Sequence, residues 1–239
     1  MTLKEKLRKK FTNYSIESPV VAAFLGDSVT HGCFEVLVKP TGSLECVYDQ
    51  EAVYSNLFRK KFNAAFPGCP LGVINAGISG GSAAEGLART DRDVIRFSPD
   101  LAVVCFGLND VLRCSVENYV ESLTGIFRKL KENDILPVFM TPNMFCTTPR
   151  ATPVKELYGT SEECAEVQNS GKFDAFLKCA VEEALREDVT VCDCYSDWKT
   201  IAEHGTDVTY LLSNFINHPT RQMHDLFASR LFDTIVLGR

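Results

Sequence analysis

Five short apolar runs, separated by stretches of helical periodicity, constrain this chain more than any other feature. They are Val20–Leu25, Leu71–Ile74, Leu101–Phe106, Ile135–Phe139 and Val189–Cys192. Each is too short for a buried helix and nearly continuous in apolar character, as parallel strands covered on both faces must be. Pro137 removes a ladder donor from the fourth run, which predicts that this strand begins there or lies near an edge. From Val116, apolar side chains recur at Tyr119, Val120, Leu123, Ile126, Phe127 and Leu130, the spacing of an amphipathic helix. A second helix is expected from about Ser82 to Arg96. A third should start near Thr160, where Thr160 and Glu163 have capping-box spacing, break at Asn169-Ser170-Gly171 and resume to Arg186. The last follows Pro219-Thr220, with Met223, Leu226, Phe227, Leu231, Phe232 and Ile235 on one face.

Such alternation predicts an α/β sandwich around a mainly parallel five-stranded sheet. No linker or repeat divides the chain, so residues 1–239 are expected to form a single domain, with 1–18 as a basic helical extension. The Pro- and Thr-rich segment 141–159 reads as a long loop.

The net charge of −6 argues against a nucleic-acid-binding surface. No apolar run approaches the roughly 18 residues of a membrane span, so no membrane insertion is expected. The N-terminal MTLKEKLRKKF lacks an apolar leader, and a cytoplasmic location with that segment as a short solvated helix is the expectation. The ten cysteines are scattered, which suits reduced, packed thiols and not a disulfide framework. Cys192 and Cys194 with His204 lack the paired spacing of a zinc site. Neither a metal nor an organic cofactor is implied.

In an open parallel sheet the ligand crevice lies beyond the carboxyl ends of the strands. Four polar, Gly-containing segments converge there: Gly26-Asp27-Ser28-Val29-Thr30, Asn75-Ala76-Gly77-Ile78-Ser79-Gly80-Gly81, Gly107-Leu108-Asn109-Asp110 and Asn214-Phe215-Ile216-Asn217-His218-Pro219. Singly, each is readable as a turn or a helix cap. The second lacks the Walker lysine and the dinucleotide glycine spacing. The dense charges Arg89, Asp91, Arg92 and Asp93 read as a solvated, salt-bridged helix face.

Together, Gly26-Asp27-Ser28, Gly80, Gly107-Leu108-Asn109-Asp110 and His218-Pro219 resemble, in the same order, the four signature blocks of the SGNH (GDSL) hydrolases. The resemblance spans about Val20 to Leu237 and implies a flavodoxin-like three-layer α/β/α sandwich with esterase activity. It implies Ser28 as nucleophile and His218 as base. The oxyanion would be held by the backbone N–H groups of Ser28 and Gly80 and by the Asn109 side chain. Gly80 is expected to lack Cβ so that a substrate can approach its backbone. Asp27, His31 and Asp110 are candidate pocket residues, and His224 is a weaker candidate base.

One departure from the family pattern stands out. The family places Asp three residues before the histidine, where this chain has Phe215. A Ser28–His218 dyad is therefore expected, its ring oriented by a main-chain carbonyl or by Asn214. The expected substrate is a small-molecule or carbohydrate ester with a short acyl group, and a carbohydrate O-acetylesterase is favoured. The alternatives are an acyl thioesterase or lysophospholipase using the same site, or a catalytically silent glycan-binding module. No sequence feature sets an oligomeric state.

Overall fold

A computed structural model describes residues 3–13, 15 and 17–239. Five strands, β1 (Val20–Gly26), β4 (Leu71–Gly77), β5 (Leu101–Cys105), β6 (Leu136–Met140) and β7 (Thr190–Cys192), form one sheet in the order β4-β1-β5-β6-β7. Every pairing in it is parallel. The five apolar runs are thus the five strands, and β5 is buried along its whole length. Pro137 sits one residue before the β6–β7 ladder begins at Val138, so β6 there has a strand partner on one side only.

Among the described residues ten α-helices flank the strands: α1 (Leu3–Thr12), α2 (Ser28–His31), α3 (Tyr54–Ala65), α4 (Ala83–Asp93), α5 (Asp110–Arg113), α6 (Val116–Glu132), α7 (Tyr158–Asn169), α8 (Lys172–Arg186), α9 (Cys194–Glu203) and α10 (Arg221–Phe232). On one face α6 packs between α4 and α8, and on the other α3 packs against α10. This three-layer sandwich has the strand order of flavodoxin-like folds. The α6 stripe of Tyr119, Leu123, Ile126, Phe127 and Leu130 is fully buried, as its periodicity predicts. Ser82 caps α4 in a reciprocal capping box with Glu85. Thr160 caps nothing: α7 starts at Tyr158, behind a 3-10 turn that already sets its direction.

Two sequence readings need correction. A β-hairpin, β2 (Cys33–Val38) and β3 (Leu44–Tyr48), forms a separate two-stranded sheet that the search for continuous apolar runs missed. Helix α1 is not simply solvated. Leu3 and Leu7 pack against the core, and Lys6 pairs with Asp100, whose other carboxylate oxygen accepts the Val21 N–H at 2.7 Å. Segment 141–159 is a loop up to Val154, as expected, although its first part, 141–146, is buried with most of its polar groups partnered inside. The Cys146 N–H, for example, donates to the Ile216 carbonyl at 2.8 Å.

All ten cysteines are unpaired. Cys192 and Cys194 lie with their sulfurs 3.8 Å apart, while His204 is turned to the Thr200 carbonyl. Among the described residues no helix is long and apolar enough to cross a membrane.

The register places Gly26, Gly77 and Cys105 side by side at the carboxyl ends of β1, β4 and β5. From β1 the chain winds first to β4 on one side and then to β5 on the other. Here the crevice of a doubly wound sheet opens.

Candidate active site

Ser28 is the first residue of α2, immediately beyond the end of β1. The turn between them is tight. A Cβ on Gly26 would lie 2.1 Å from Thr30 Oγ1 and 2.6 Å from the Cys105 carbonyl oxygen, and one on Gly77 would strike the His31 backbone at 2.2 Å. Asp27 caps α2 through Oδ1, which accepts the Val29 N–H at 2.9 Å. Thr30 Oγ1 shares a 2.8 Å hydrogen bond with the Tyr54 hydroxyl, anchoring the short helix to α3.

The loop after β4 is drawn onto the same spot. The Ile78 N–H donates to the Gly26 carbonyl at 3.0 Å, and Asn109 Nδ2 donates to the Gly81 carbonyl at 3.0 Å. Asn109 has a second amide hydrogen beyond the one that Gly81 accepts. Gly80 has a φ of +77°, and a Cβ there would meet nothing within 4 Å. The left-handed backbone favours glycine there, and the space beside it is open. Arg113 Nη1 fixes the Gly80 carbonyl at 2.7 Å, and Asp110 Oδ1 accepts the Ala83 N–H at 2.8 Å, so α5 holds the middle and the far end of this loop.

His218 arrives from the other end of the sequence. Asn214 Oδ1 accepts three backbone N–H groups, those of Ile216, Asn217 and His218, at 2.9–3.0 Å. This closes a compact loop whose cost includes a φ of +59° at Phe215. The imidazole Nε2 lies 3.0 Å from Ser28 Oγ, and Nδ1 lies 3.0 Å from the Phe34 carbonyl oxygen. A carbonyl only accepts, so Nδ1 carries the ring proton and Nε2 is free to accept from the serine. Asn214 thus shapes the loop and does not touch the ring. The main-chain alternative is the one realised, supplied by the hairpin that the sequence did not disclose.

Burial pushes His218 down to about 4, against the opposing pull of the Phe34 carbonyl and the Glu35 charge. The ring is neutral at pH 7, as a base must be. His224 is fully buried and pushed down to about 3, by burial above all, with the neighbouring His218 and Arg221 adding to the fall. Its Nδ1 accepts the Tyr54 N–H at 3.1 Å, which leaves it remote in role from Ser28.

Two carboxyls lie beneath the site. Burial raises Asp27 to about 7, with the Asp110 charge adding to the rise, and raises Asp110 to about 6. Both are about 1% exposed, and Asp110 borders a cavity of about 490 Å³ together with Ser82, Glu85 and Arg113. His31 packs on the loop after β4: its Nδ1 is 3.2 Å from Ser79 Oγ, and its ring lies against Tyr48, whose hydroxyl is 3.0 Å from the same oxygen. Arg89 is a further correction. It is buried, and its guanidinium donates to the Ala76 carbonyl at 2.6 Å and the Gly26 carbonyl at 2.8 Å. Its partners are main-chain atoms, which leave no trace in sequence.

No group of three His, Cys, Asp or Glu side chains among the described residues could hold a metal ion.

A doubly wound sheet whose strand-end loops bring a serine hydroxyl onto a neutral imidazole, beside a positive-φ glycine and an asparagine amide, is the arrangement of a serine-type acyl hydrolase. The chain belongs to the GDSL-like lipase/acylhydrolase family, whose model matches residues 24–226, and it is a carboxylic ester hydrolase. Solved structures agree with the fold. A catalytic mutant of an acetylxylan esterase from Geobacillus stearothermophilus superposes with a TM-score of 0.66 at 18% identity, covering 92% of this chain and 95% of its own. A GDSL-like lipase from Parabacteroides merdae gives 0.68 at 20% identity, covering 92% and 97%. A two-domain esterase active on acetylated mannans gives 0.66 at 20% identity, with 96% of this chain matched to 52% of that one. No curated protein matches the chain in sequence.

Proposed function

We propose that the protein removes short acyl groups, acetyl above all, from carbohydrate esters through an acyl-enzyme on Ser28. The observation that carries this reading is the continuous relay from Ser28 Oγ through His218 to the Phe34 carbonyl, each link 3.0 Å long. In the first half-reaction Nε2 takes the Ser28 proton as Oγ attacks the ester carbon. The oxyanion is held by the N–H groups of Ser28 and Gly80 and by Asn109 Nδ2. Collapse expels the alkoxide, which takes the proton back from Nε2, and water repeats the sequence on the acyl-serine.

Two further observations support a short acyl group and a sugar alcohol. An apolar cavity of about 1000 Å³, lined by Leu3, Leu7, Phe11, Phe66 and Leu237, opens beyond the amino ends of the strands. It is at the wrong end of the sheet to serve as an acyl tunnel for Ser28. Among the structural neighbours are esterases of acetylated xylan and mannan. The unpaired thiols, most of them buried, favour a reducing compartment such as the cytoplasm.

The test combines covalent labelling with an acyl-length panel. A fluorophosphonate should label the wild type and not Ser28→Ala, and acetylated xylo-oligosaccharides should lose acetate. Labelling that persists in Ser28→Ala, or a preference for eight carbons and longer among nitrophenyl esters, would overturn the proposal. Asn109→Ala should lower kcat about 100-fold or more with little change in KM, because a donor aimed at the oxyanion acts mainly in the transition state.

A further inference from the structure

In this chain the imidazole is oriented by a backbone oxygen on a two-stranded hairpin, a less rigid support than a carboxylate anchored in its own loop. Something has to hold that hairpin, since a carbonyl displaced by an ångström no longer fixes the ring. Helix α10, which begins three residues after His218, supplies two side chains that grip the residue in question. The Arg221 guanidinium lies over the Phe34 ring at 4.4 Å from its centroid, and the His224 ring packs on Phe34 with centroids 4.7 Å apart. Arg221 and His224 are three residues apart and so share one face of the helix.

The same guanidinium ties down both limbs of the hairpin. Arg221 Nη1 donates to Glu35 Oε1 at 2.6 Å and Nη2 to Oε2 at 3.3 Å, a forked contact to the residue next to Phe34. Its Nε donates to Asp49 Oδ2 at 2.9 Å, just past the end of β3. Arg221 therefore holds Phe34 by its ring, Glu35 by its carboxylate and the return strand by Asp49. A planar cation with five donors suits this; a lysine cannot make the fork and the stack together.

We propose that Arg221 is a positioning residue for the esterase reaction. By clamping Phe34 and Glu35 it fixes the carbonyl that orients His218, and so does from a distance what the carboxylate three residues before the histidine does in relatives. The inference rests on the Ser28–His218 reading above. His224 completes the clamp from the inner side, where it is anchored by accepting the Tyr54 N–H.

The test is the series Arg221→Ala, Arg221→Lys and Glu35→Gln, assayed on nitrophenyl acetate and normalised to active sites titrated with a fluorophosphonate. In Arg221→Ala, kcat per titrated site should fall about tenfold to a hundredfold, the range a misplaced catalytic group costs, with KM within about threefold. Arg221→Lys should be intermediate, and Glu35→Gln should keep more activity than Arg221→Ala. The low-field proton resonance of His218 Nδ1–H, assigned by its absence in His218→Ala, should shift or broaden in Arg221→Ala. A kcat per titrated site within twofold of wild type would overturn the clamp, as would an unchanged Nδ1–H resonance. If Ser28→Ala retains hydrolysis, the underlying reading fails; if only Arg221→Ala is unaffected, the clamp alone fails.

Discussion

Replacing His218 by alanine should lower kcat by about four to six orders of magnitude while leaving the fold intact. The size follows from how serine and imidazole act as a unit: without the base, the hydroxyl must lose its proton to water, and little remains beyond binding and oxyanion stabilisation. His218 is 6% exposed and its ring makes two hydrogen bonds, so truncation leaves Ser28 and the Phe34 carbonyl short of a partner at a site that water can reach. The wild-type pH profile should carry the same residue's signature. Protonation of Nε2 abolishes acceptance from Ser28, so activity is lost as pH falls through the ring's value of about 4. Accordingly kcat/KM should hold to about pH 5 and drop roughly tenfold per unit below 4. An unburied histidine would give that limb near 6.5. A smaller inflection between pH 6 and 7 would belong to Asp27 and Asp110, and Asp27→Asn should simplify it without moving the acid limb. A kcat within a hundredfold of wild type in His218→Ala would show that His218 is not the base, whereas a wild-type limb centred near 6.5 would show that burial does not depress the ring.

What the sequence made legible divides along a physical line. Buried strands and the α6 stripe repeat one constraint at every position, so a short window shows them. Gly26-Asp27-Ser28, the asparagine after β5 and His218 also stand out, because strand-end loops confine chemistry to few positions. The hairpin was missed although Lys39-Pro40-Thr41-Gly42-Ser43 is a turn signal between two β-prone runs. Its strands are half exposed and carry charges, so they resemble neither a buried strand nor a regular alternation. That omission hid the orienter of His218, since Phe34 acts through a carbonyl that every residue possesses. Arg89 was misread for a related reason. Its neighbours Arg92 and Asp91 are exposed charges as expected, and nothing local separates it from them. Only the tertiary packing, which brings the ends of β1 and β4 under α4, turns one arginine of the cluster inward.

Arg89→Met should cost about 3–5 kcal/mol of stability, among the largest effects of any single substitution outside the apolar core. The guanidinium reaches the Gly26 and Ala76 carbonyls at 2.8 and 2.6 Å and pairs with Asp93 at 3.0 Å. Methionine fills much of the volume but donates nothing, so two buried carbonyl contacts and a half-buried ion pair are lost together. At roughly 2–4 °C per kcal/mol for a chain of this size, the melting midpoint should fall by about 10 °C. Arg92→Ala is the control. Arg92 pairs with the same Asp93, yet its side chain is 64% exposed, so water screens the pair and its loss should barely move stability. The two arginines, three residues apart, should therefore differ several-fold in their effect on stability. Activity should separate them as well. The Gly26 carbonyl also accepts the Ile78 N–H at 3.0 Å, so releasing it from Arg89 loosens the joint between the Ser28 turn and the Gly80 loop. Assayed well below its melting midpoint, Arg89→Met should lose about tenfold or more in kcat, while Arg92→Ala should match wild type. Equal midpoints for the two variants would mean that the Arg89 contacts do not carry the strand-end geometry.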